Sequence, residues 1–180
     1  MALFGSKITA EKVAGLLTQA VVDAYKSGAS DEEDLAWLKR NPATAAKIVR
    51  YYAAAAWFSA DVYIQTNGVT KPSPQEFMQV WRKAIFTQIA LLFDDLSPKG
   101  EQLLWTMMFD DIDAYGRIMA EQMRVNAPYL PMIVGKHWFA ETQQMDILKG
   151  YNSEKSGMLV LAAAVDCQTR VTATLKEHCR

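Results

Sequence analysis

Three aspartates in four positions, Asp110, Asp111 and Asp113, follow one of the most apolar runs of the chain in "LLWTMMFDDIDAYGR", and a second pair, Asp94 and Asp95, stands sixteen residues earlier in "LLFDDLSPKG". Clustered carboxylates can hold a divalent cation, because hard cations take oxygen ligands. Spacing decides which of them could act together. On a helix the neighbours of a residue lie three, four and seven positions away, so Asp110 and Asp113 share a face with Thr106, Arg117 and Arg124, and Asp113 can pair with Arg117. Those two acids read as a solvated face. Asp111 has Leu104, Met107, Met108, Tyr115 and Ile118 as neighbours, and an acid so placed needs a donor or a raised pKa. In a straight hairpin Asp95 and Asp111 would differ in height by about 18 Å, too far for one ion to bridge. No metal site is expected here.

Other polar groups intrude on apolar stripes. Asp61 follows Trp57 by one turn, Glu141 lies between Trp138 and Met145, and His137 stands four residues before Glu141, so the last two can meet on one helix face. A His and a Glu so placed could bind a metal or shuttle protons, although such pairs more often satisfy each other beside a core. A di-iron bundle would need Glu-x-x-His on two helices, and the chain contains none. Cys167, among Val160, Ala164 and Val171, reads as an inert core thiol. No GxGxxG or phosphate loop occurs. Met107, Met108, Met119 and Met123 could line an adaptable pocket, but filling gaps in a helical core accounts for them.

Helices must position all of these groups. Thr9 caps "AEKVAGLLTQAVVDAYKSG", where Val13, Leu16, Leu17, Ala20, Val21 and Ala24 form one face and Gly28 marks the stop. Ser30 with Glu33 forms a capping box for a short second helix. Asn41-Pro42 opens a third that runs to Asn67-Gly68, and Ser73-Pro74 with Glu76 opens a fourth that is expected to reach about Leu96. Ser97-Pro98 caps the fifth, residues 126–131 break the pattern, a sixth is expected to reach Lys149, and "GYNSEKSG" precedes a seventh ending near Cys179. Trp57 and Trp81 flank a turn at similar distances, so antiparallel packing would bring them to one level. No segment alternates as a strand does. The expected fold is all-α: a single-domain, mostly antiparallel bundle of about seven helices across 1–180, with 1–8 a flexible N-terminus.

The totals narrow the function classes. The chain has 180 residues, 51% of them apolar, enough to bury a useful core. Nineteen basic residues oppose twenty acidic ones and never cluster, which argues against a nucleic-acid face. Cys167 and Cys179 lie twelve positions apart on one helix, about 18 Å at 1.5 Å per residue, too far for a disulfide. Two such thiols fit a cytoplasmic protein, and no membrane span is expected because no run approaches 18 apolar residues.

"MLVLAAAV", residues 158–165, is apolar on every side of a helix and so should be enclosed by protein. A homodimer is expected in which this helix is central to its own bundle and contributes one small-residue edge, drawn from Ala162, Ala163 and Ala164, near the subunit contact. The leading expectation is a non-catalytic bundle that acts through protein contacts, with no cofactor. The competing one is a bundle that binds a small molecule or metal, as a binding protein or as an enzyme, with Asp61, Asp111, Tyr115, His137 and Glu141 converging on an internal pocket.

Overall fold

A computed structural model describes residues 9–93, 96–125, 130–142, 147 and 156–179. Among the described residues seven helices follow one another: α1 (Ala10–Ser27), α2 (Glu32–Arg40), α3 (Pro42–Asn67), α4 (Pro74–Ala90), α5 (Pro98–Arg124), α6 (Leu130–Glu141) and α7 (Ser156–His178). There is no strand among the described residues. The protein is an all-α bundle around one hydrophobic cluster.

The helix ends follow local chemistry. Thr9 accepts a bond from the Lys12 amide at 3.3 Å, and Ser97 accepts one from the Gly100 amide at 3.2 Å ahead of Pro98. The α2 cap sits one residue later than the Ser30 reading: Asp31 accepts from the Asp34 amide at 2.9 Å, and Asp34 reaches back to the Ser30 amide at 2.9 Å. Asp34 thus takes the reciprocal role assigned to Glu33, because with the cap at Asp31 it is Asp34 that stands three positions on. At Ser73 the proline at the first helical position remains, but Ser73 makes no side-chain cap bond. Helix α4 also ends early. Leu92 and Phe93 bond back to Ile89 and Ala90 at 3.1 Å each, the tightened final turn of a helix that is stopping.

Gly68, at φ 60°, closes α3 in the left-handed conformation that glycine adopts without a steric penalty. Gly28 is required for a different reason. Its φ is an ordinary −76°, but the Tyr52 hydroxyl occupies the place where a Cβ would stand. Helix α6 ends at Glu141 with Thr142 in a turn, short of the expected Lys149; Asp94, Asp95, residues 126–129, 143–146 and 148–149 and the segment 1–8 lie outside the described residues.

Helix α3 runs through the middle and packs against α1, α2, α4, α5 and α7, while α6 packs on α5 and α7. Residues 48–56, "IVRYYAAAA", are buried without interruption. The four alanines let neighbouring helices approach closely from several sides. This enclosure was expected of 158–165 and belongs instead to α3. On α7 Met158 is 49% exposed and Ala162 is exposed, whereas Ala163 is only 5% exposed and faces inward. The difference is one of position: α7 covers α1 and α3 from outside, so one flank has no helix over it among the described residues. Gly157–His178 has the length and composition of a membrane-crossing helix, with a mean hydropathy of 1.2, and 39% of that window is buried.

Close packing between α3, α6 and α7 depends on Gly135. A Cβ there would collide with the Tyr51 hydroxyl and a Leu161 methyl, and would lie 3.1 Å from Tyr51 Cζ. Tyr51 cannot yield, because its ring is 0% exposed and lies against Tyr115, Trp138 and Phe139 at centroid distances of 6.0, 5.2 and 4.8 Å. Overpacking costs about 1–3 kcal/mol, and alanine's better helix propensity returns only about 1 kcal/mol. Gly135→Ala is therefore expected to lower the melting temperature, and a variant melting at or above the parent would refute this packing.

Candidate functional site

The most unusual feature of the core is a pair of charges. Arg50, 2% exposed, projects from α3, and its Nε lies 3.2 Å from Oδ2 of Asp111, 6% exposed, on α5. The contact is ionic without hydrogen-bond geometry, since neither atom has a well-aligned partner. Burial pushes the Asp111 carboxyl up to about 6; Arg50 opposes that shift and the neighbouring Asp110 adds to it. Burial likewise lowers the Arg50 pKa, with Asp111 acting against the change. Desolvation thus outweighs the attraction between the partners, as is common for buried pairs without full hydrogen bonding.

Aromatic rings and one amide surround this pair. The Trp138 indole donates to the Asp111 carbonyl at 3.1 Å and so ties α6 to α5. Gln168 on α7 donates to the Tyr115 hydroxyl at 3.0 Å and to the Ala55 carbonyl at 3.4 Å. Tyr115 is pushed well above its ordinary pKa by burial and stays a neutral phenol. The Cys167 thiol is pushed up to about 12 by burial, so it carries almost no thiolate.

A groove of about 430 Å³ opens between α3 and α5, lined by Trp57, Phe58, Asp61, Ile112, Asp113, Gly116 and Arg117. Trp57 stacks on Trp81 at 5.3 Å, the level match anticipated from the spacing. The Arg82 guanidinium lies over the Trp57 ring at 4.5 Å and over the Phe109 ring at 4.9 Å, so aromatic faces hold this cation in place of a carboxylate.

The five candidate residues fall in different places. Asp111 and Tyr115 are in the core. Asp61 lines the groove and accepts from Gln65 at 2.6 Å. His137 is exposed. Glu141 pairs across helices with Arg117 through two contacts, so Arg117 meets Glu141 in preference to Asp113, and the described bonds of Glu141 run to Arg117. Asp110 and Asp113 are exposed, as the periodicity required. The groove unites Asp61 with Asp113 and Arg117; the structure does not bring all five candidates into one pocket. No cluster of three potential metal ligands occurs among the described residues.

Sequence reasoning missed Arg50, the direct partner of Asp111. A lone arginine inside "KIVRYYAAAAW" was the available signal, because a long cation within an otherwise apolar run must find an anion or reach solvent. Gln168 carried no such signal. The fold and site define an all-α bundle with a buried ion pair at its centre. The chain matches no family model, no curated protein and no solved structure at significant similarity.

Proposed function

We propose that this protein is a non-catalytic helical bundle that acts through protein contacts, the first of them with a second copy of itself. One observation carries the reading: Met158, Ala162, Val165, Thr169 and Thr172 occupy one outward flank of α7 at alternating four- and three-residue spacing. That spacing is the seam of a paired helix, and its small residues permit close approach. The separate pairing of Asp111 with Arg50 and of Glu141 with Arg117 adds support, since acids consumed in structural pairs are not held ready for chemistry.

Light scattering across a concentration series is expected to show a dimer that Ala162→Glu converts to a folded monomer. Ala163→Glu, one residue away but buried, is expected to unfold the chain instead. A parent protein that stays monomeric at high concentration would overturn the proposal.

A second reading is favoured by the groove between α3 and α5, whose lining places the Asp61 and Asp113 carboxylates beside the Phe58 ring, with Arg117 at the same groove engaged by Glu141. Carboxylates beside an aromatic ring suit a small organic cation. Calorimetric titration with simple amines, with inorganic cations as the control, distinguishes this reading from the first.

A further inference from the structure

A second groove, lined by none of the same residues, has a different chemistry. It encloses about 400 Å³ between α1, α2, α3 and α4, within the size range of small-molecule pockets. Val22, Leu35, Val49, Leu91 and Leu92 make its walls, and Tyr25 and Gln88 add polar tips. Leu91 is 73% exposed at its mouth, an apolar side chain that the fold leaves uncovered. Among the described residues that line it, Lys26 and Lys39 carry the charge.

Both lysines are exposed and available. The cations engaged in ion pairs among the described residues are Arg50, Arg117, Arg170 and His178. The nearest acid on α1, Asp23, is taken up by Arg170 and Gln19. Burial raises the Tyr25 pKa, so its phenol remains a hydrogen-bond donor. Among the described residues, an apolar trough whose charges are two ammonium groups outside any ion pair is complementary to a molecule with a hydrocarbon body and one anionic end.

We propose that this groove binds a free amphiphilic acid, its chain lying along Val22, Leu35, Val49, Leu91 and Leu92 and its carboxylate meeting Lys26 and Lys39. The hydrocarbon supplies most of the affinity and the lysines supply the preference for an anion. A membrane surface carrying anionic headgroups shares part of this chemistry, but a concave trough walled by side chains of α1, α2, α3 and α4 fits a single dissolved chain better than a flat bilayer.

Decanoate below its micelle concentration is the test ligand, with decanol and decyltrimethylammonium of equal chain length as controls, followed by isothermal titration calorimetry. Decanoate is expected to bind at one site per chain, roughly tenfold tighter than decanol, as two partly exposed ion pairs would provide. Lys26→Gln with Lys39→Gln, both at exposed positions that leave the fold intact, should remove that preference while decanol binding persists. Leu35→Asp should abolish binding of both, with circular dichroism confirming that the variant is folded.

Equal binding of the anionic and cationic amphiphiles, or decanoate binding unchanged in the double lysine variant, would overturn the proposal. So would binding to phosphatidylglycerol vesicles without binding of monomeric decanoate, which would assign the surface to a membrane.

Discussion

Arg50→Met will lower stability at pH 7 by about 3–5 kcal/mol, because it leaves the Asp111 carboxylate buried without its counter-charge. Asp111→Asn will cost a comparable amount, because it leaves the Arg50 guanidinium, which stays charged, buried without its counter-charge. The direction with pH follows from linkage. Asp111 titrates near 3.9 in an unfolded chain and at about 6 in the folded protein. Between those values the native state binds more protons, so the stability this group contributes is fully present below about pH 4 and is lost as pH rises through 6.

The loss across that window is on the order of 2–3 kcal/mol. Urea denaturation at pH 4 and pH 7 reads it: the difference attributable to this site should vanish in Asp111→Asn, and the penalty of Arg50→Met should shrink at the lower pH. Replacing both partners by apolar residues of similar volume, Arg50→Met with Asp111→Leu, should restore most of the stability or exceed it. A parent protein that loses no more stability between pH 4 and pH 7 than Asp111→Asn does would show that attraction, and not desolvation, dominates the pair.

Trp138→Ala will cost about 3–5 kcal/mol, the range for deleting a large buried aromatic side chain. Its ring is 0% exposed and sits between Tyr51 and Phe139 at 5.2 and 4.9 Å, so no neighbouring group can move far enough to fill the space. Trp138→Phe separates the two contributions of this residue. It retains most of the packing but removes the indole donor to the Asp111 carbonyl, for a loss of about 1–3 kcal/mol. Chemical denaturation of the two variants should rank them in that order. Equal losses would mean that the hydrogen bond, and not the ring, holds α6 on α5.

Sequence alone determined what depends on neighbours along the chain. Proline after Asn41, Ser73 and Ser97 located three helix starts, Asn67-Gly68 located a stop, and the periodicity around residue 111 separated the buried aspartate from Asp110 and Asp113. These are effects of a single turn, set by capping and by 3.6-residue repeats. The stacking of Trp57 on Trp81 was also legible, because equal distances from one turn determine height in a hairpin.

Partners chosen across helices were not legible. The sequence placed Glu141 near His137 and Asp113 near Arg117, whereas the fold joins Arg117 to Glu141 over 24 positions and Asp111 to Arg50 over a longer span. On an exposed surface an i,i+4 pair is worth only about 0.3–0.5 kcal/mol, so the approach of a neighbouring helix readily replaces it. Which apolar helix lies at the centre was likewise decided in three dimensions. Both "IVRYYAAAA" and "MLVLAAAV" lack a polar face, and only the packing of α1, α2, α4, α5 and α7 around α3 assigns the interior to the first and an outer flank to the second.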